Sequence, residues 1–121
     1  MSTETRDLPV VLDAAALEDL PEEPLGQLPG VRHRSVWTDG VSKAGVMRIE
    51  AGHHLGAHSH RRHHHHVWVL EGVARILGHD LGPGSYVHIP NGVEHDFDAR
   101  DSEGCRFFYM YLEGHGPAAG G

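Results

Sequence analysis

Apolar and polar residues change their rhythm near residue 31. Before it, Asp13–Leu20 is the one stretch spaced like a short helix, and Pro21 stops it. Pro9, Pro24 and Pro29 keep the rest of that segment irregular. From Val31 onward, short β-rich runs alternate with glycine-containing turns at Asp39-Gly40, Ala51-Gly52, Glu71-Gly72, Gly82-Pro83-Gly84 and Asn91-Gly92. The runs predict strands over 32–38, 43–50, 54–60, 65–71, 73–78, 85–89, 95–99 and 105–113, the pattern of an all-β sandwich or jelly roll. Closing such strands into a barrel also removes exposed sheet edges. The expected organisation is an arm over 1–30, a β-barrel over 31–115 and a Gly/Ala tail over 116–121.

Strand parity assigns faces. His58 and His60 must project together, as must His65, Val67 and Val69, while His66, Trp68 and Leu70 take the opposite side. With the first set inside, Trp68 and Leu70 face outward and call for cover by a second sheet, the arm or another subunit. Tyr86, His88, Phe97, Phe108, Tyr109, Met110 and Tyr111 alternate along strands expected to line the barrel, some of them walling a pocket.

At 121 residues the chain suits one domain, and its 39% apolar content contains no run long enough for a transmembrane helix. The polar, acidic start lacks the features of a secretory signal, which points to the cytoplasm. The lone Cys105 excludes an intramolecular disulfide, fits a reducing compartment and reads as an apolar filler. The net charge of −7 comes mostly from residues 1–30, where seven acids face Arg6 alone. With a single lysine and no basic run longer than Arg61-Arg62, no nucleic acid or anionic membrane partner is expected.

Histidine alters the picture most. There are 13, eight of them between His53 and His66, in an internal and interrupted run unlike a purification tag. Neutral imidazole is a good ligand for zinc, copper, iron, nickel and manganese. A site can draw His58 and His60 from one strand, a histidine from the 63–66 run and His95 from beyond a turn. His53, His54, His63 and His66 fall near the rim, and His33, His79 and His115 read as surface residues.

The spacing Gly52-x5-His58-x-His60-x4-His65-x6-Gly72 closely resembles the first cupin motif, and Gly84-x5-Pro90-x-Gly92-x2-His95 the second. With flanking strands the resemblance covers roughly residues 31 to 113. It implies a small single-domain cupin, a jelly-roll β-barrel that holds one divalent transition metal (Fe, Mn, Ni, Cu or Zn) and commonly forms a homodimer. His65 stands where the family usually has a ligating glutamate, and Ala99 where motif two often ends in a non-ligating asparagine. The implied ligands are His58, His60, His65 and His95. His64 competes with His65, which is favoured by the six-residue interval to Gly72 and by strand parity.

Four neutral imidazoles leave a divalent ion its full charge, so anionic chelators are favoured, and an octahedral ion keeps two positions open. The resemblance therefore implies a metal-dependent oxidoreductase, dioxygenase-like, acting on a small chelating organic substrate, with anionic ones favoured. The alternatives are an isomerase or lyase for a sugar-like or hydroxyketo compound, and a non-enzymatic module sensing metal or a small ligand. Regulators of that last kind usually carry a further domain, for which the arm is too small. Glu94, beside His95, is a candidate acid or base, though an acid in a turn is more often only solvated.

Overall fold

The computed structural model describes residues 8–114. In the arm, Asp13 caps a single-turn helix α1 (Ala14–Glu18), its side chain accepting from the Ala16 N–H at 2.8 Å. The arm lies against the barrel. Its acids meet arginines of the sheet: Glu22 pairs with Arg48 and lies near Arg32 and Arg34, and Glu18 reaches Arg106 at 3.1 Å. The Arg48 guanidinium beside Glu22 holds that carboxyl below its ordinary range.

Eight strands follow in chain order: β1 (Glu23–Pro24), β2 (Val31–Thr38), β3 (Lys43–Glu50), β4 (His63–Gly72), β5 (Ala74–Ile76), β6 (His79–Leu81), β7 (Tyr86–Ile89) and β8 (Gly104–Glu113). One six-stranded antiparallel sheet runs β1-β2-β3-β8-β4-β7, and β5-β6 form a hairpin. Segments 52–60 and 92–99 close the other wall through bonds such as Leu55 N to Phe97 O (3.0 Å) and a reciprocal His58–His95 pair (2.8 Å each way). Arg75 and Asp98 bridge that wall to the hairpin. The result is an all-β jelly roll. Between the walls lie Met47, Ile49, Val67, Ile76, Phe97 and Phe107, each almost wholly excluded from solvent. The longer runs earn their place by alternation: in β4, His65, Val67 and Val69 are buried while Trp68 and Leu70 are exposed. No helix among the described residues is long and apolar enough to cross a membrane.

Three expectations need correction. The stretches 54–60 and 95–99 pair through isolated bridges rather than as continuous strands. The cause is local: Gly56 has φ +106°, and its N–H turns to the Asp96 carboxylate (2.8 Å) instead of a backbone carbonyl. The run 73–78 ends in a tight turn at Leu77-Gly78, both with positive φ, so its strand is only β5 and the hairpin return starts beyond it at His79. His33 is half-buried in β2, with Nδ1 enclosed and unbonded, and is no ordinary surface residue. His79 is exposed, and His115 lies outside the described residues.

The bulge between Val69 and Glu71 ends β4 at Gly72, where φ is +72° and an added Cβ would fall 2.0 Å from the Gly104 carbonyl oxygen. Left-handed strain and a backbone clash then act together, so Gly72→Ala is expected to cost about 3 kcal/mol or more. Urea unfolding checks this. A midpoint near that of the wild type would mean that the β4–β8 junction yields.

Candidate metal centre

Three chain segments converge at one end of the barrel. His58 and His60 come from the loop wall, His95 from the segment paired with it, and His65 from β4 of the large sheet. Ring centroids stand 4.3 Å apart for His58–His95, 4.5 Å for His60–His65, 4.9 Å for His65–His95 and 5.0 Å for His58–His60. One nitrogen from each of His58, His60 and His95 falls within 4.8 Å of the others. His65 is outside that tightest group, but its ring abuts two members of it.

Hydrogen bonding decides which nitrogen each ring offers. His58 Nδ1 lies 2.6 Å from the Gly56 carbonyl oxygen and His95 Nδ1 2.9 Å from that of Val93. A carbonyl only accepts, so both Nδ1 atoms carry the proton and both Nε2 atoms present lone pairs. His60 Nε2, His95 Nε2 and both ring nitrogens of His65 are buried without a hydrogen-bond partner. Such orphaned atoms are costly, about 1–3 kcal/mol each. A transition-metal ion would satisfy inward lone pairs of this kind, so the donor set fits one.

The surroundings keep His60, His65 and His95 neutral. Burial, reinforced by His58, pushes the His60 pKa down to about 4, and burial, reinforced by His60, pushes that of His65 down to about 2. His95 is lowered too, again chiefly by burial. Neutral imidazole is the ligating form. Tyr111 stacks on His65 at 4.0 Å, and Phe97 closes the floor 5.3 Å from His95. The Lys43 ammonium sits 5.1 Å over the Tyr111 ring, adding positive charge at the rim.

His64 is on the other face of β4, grouped with His66 and His88. The structure thus brings His65, not His64, to the three converging histidines. Of the residues expected to line the barrel, Phe97, Tyr109 and Tyr111 face inward, whereas Tyr86 and His88 are exposed on the outside. Near the rim, His63 Nε2 meets the Val41 carbonyl oxygen at 2.6 Å, and His54 Nδ1 meets Asp96 at 2.8 Å. Sequence reasoning missed Asp96. Its carboxylate holds both Gly56 and His54, and so ties the loop carrying His58 to the segment carrying His95. Its adjacency to His95 was the one available signal. Glu94 is exposed next to buried His95. Cys105 is buried, and desolvation pushes its thiol up to about 11, as suits a filler.

The sequence model of the ChrR cupin-like domain family matches residues 12–115. No curated protein matches the sequence. Among solved structures, the chain is similar to the polyketide cyclase RemF from Streptomyces resistomycificus (TM-score 0.72, 20% identity, covering 88% of this chain and 82% of that one). It is similar to an RmlC-like cupin from Shewanella frigidimarina (TM-score 0.69, 20% identity, 81% and 87%). A third likeness is to a chain in the Rhodobacter sphaeroides complex of SigE with the anti-sigma ChrR (TM-score 0.65, 27% identity), where it covers 78% of this chain but 50% of that one.

Proposed function

Because the chain belongs to the family of ChrR cupin-like domains, we propose that it holds one divalent transition-metal ion through His58, His60, His65 and His95 and works as a metal-dependent oxidoreductase of the dioxygenase type. The observation that carries the reading is the enclosed set of inward imidazole nitrogens with no other partner. The bound metal supplies Lewis acidity and, when it is iron, manganese or copper, electron-transfer capacity. The protein does the rest. The Gly56 and Val93 carbonyls fix the tautomers of His58 and His95, Phe97 and Tyr111 exclude water from the inner side, and Lys43 adds cationic character. A small anionic oxygen chelator is the substrate class that this charge pattern favours. In this reading the protein acts in the cytoplasm as a homodimer that covers Trp68 and Leu70.

Anaerobic reconstitution with Fe(II), Mn(II), Ni(II) or Cu(II), followed by oxygen-uptake screening against diketones, flavonols and thiols, tests the reaction class. Uptake with at least one metal, abolished in a His58→Ala, His95→Ala double variant, is the expected result. Product without oxygen consumption would replace it by Lewis-acid lyase, isomerase or cyclase chemistry, and no turnover with any metal would overturn the enzyme reading. If Glu94 transfers the proton, Glu94→Gln lowers kcat by about a hundredfold or more; an unchanged kcat removes it from the mechanism.

The family match favours a second reading, a sensing module that acts through a protein partner. Partner binding that is equal with and without metal would rule it out.

A further inference from the structure

β4 carries histidines on both faces. Its inward member, His65, belongs to the centre above, but His64 and His66 point the other way, where β7 brings His88 directly across from His66. Ring centroids are 5.2 Å apart for His64–His66, 5.1 Å for His64–His88 and 4.8 Å for His66–His88. One nitrogen of each lies within 4.8 Å of the other two. We propose that this outward triad is a second transition-metal site, separated from the first by the sheet itself and independent of the function proposed for it.

Two contacts give the triad the form of a site. His64 Nδ1 and His88 Nε2 are 2.9 Å apart. Two nitrogens bound at about 2.0–2.1 Å to one tetrahedral ion stand about 3.3 Å apart, so an ion can replace their shared proton once the pair opens by about 0.4 Å. His66 Nδ1 meets the Tyr86 hydroxyl at 2.6 Å. A hydroxyl accepts as well as donates, so a His66 protonated on Nδ1 can donate to that oxygen and leave Nε2 as the ligand, an outer support of the kind metal-bound imidazoles use. Tyr86 is in turn fixed beside Trp68, at 4.9 Å. A trio of imidazoles suits zinc, copper or nickel and not calcium or magnesium, which demand oxygen. Three protein ligands at the surface leave a further position open to water or to a donor from outside.

The test is zinc stoichiometry of the full chain without a histidine tag, read by chelator competition and elemental analysis, with circular dichroism to verify folding. The wild type is expected to bind one equivalent more than a His64→Ala, His88→Ala variant. The His58→Ala, His95→Ala variant should retain that outer equivalent, and adding Tyr86→Phe to it should weaken the remaining zinc by about tenfold to a hundredfold. In the His58→Ala, His95→Ala background, cobalt(II) should give visible absorption that vanishes when His64 and His88 are replaced as well. Equal stoichiometry in the wild type and the outer variant overturns the proposal, whatever happens at the inner centre. So does outer zinc that ignores Tyr86→Phe, which would assign it to adventitious binding by rim histidines.

Discussion

Replacing His58 and His95 together with alanine is expected to weaken the inner ion by about four orders of magnitude. A four-ligand site worth on the order of 12 kcal/mol gives each imidazole about 3 kcal/mol, and two are lost. Metal content after dialysis reads the effect as one equivalent lost per chain. Folding should survive, because the 2.8 Å bonds between residues 58 and 95 are made by backbone atoms that alanine keeps. The change also removes His95 Nε2, a buried atom with nothing to bond in the metal-free chain. A double variant with undiminished metal would mean that the converging histidines are not the ligands.

The metal-free protein should lose stability as pH falls from about 6.5 toward 4. His60 and His65 have folded-state values of about 4 and about 2, both below the 6.5 of an unfolded chain. Above 6.5 neither state binds these protons, so stability does not depend on them. Below 6.5 the unfolded chain takes them up and the folded one does not, so each unit of acidification costs roughly 1 kcal/mol through buried His65. His60, with partial solvent access, adds a smaller share that ends once it protonates in the fold near pH 4. Urea midpoints across this range, measured with chelator present, give the slope. His65→Leu should flatten it, since the orphaned nitrogens disappear and an apolar side chain takes their place. A wild-type slope of zero between pH 6.5 and 5 would show that His65 reaches water.

Much of this was legible in the sequence. Long alternating runs predicted β3 without error and β2, β7 and β8 to within a residue, because burial on one face leaves a period-two signature. Counting from Gly72 to His65 also anticipated the right face, since the glycine is required by its own backbone and clash geometry. The losses have equally local causes. Gly56 looked like one more strand residue, and only its capture by Asp96 reveals the break. Gly78 closed an apolar run and read as its last strand residue. The outward triad was out of reach because His88 joins it through the β4–β7 register, a tertiary fact that no spacing along β7 encodes. For the same reason His88 and Tyr86 were expected inside the barrel and lie outside it.

Cys105 has a practical consequence. It lies opposite Ile49 and Gly72 on the flanking strands and belongs to the core, with only 5% of the residue reaching solvent and a thiol that stays protonated at neutral pH. Maleimides and air oxidation should therefore pass over the native protein. A cysteine introduced at an exposed position such as Ser35 would take a fluorophore or spin label selectively, giving a distance ruler to both histidine clusters without altering the chain's own sulfur.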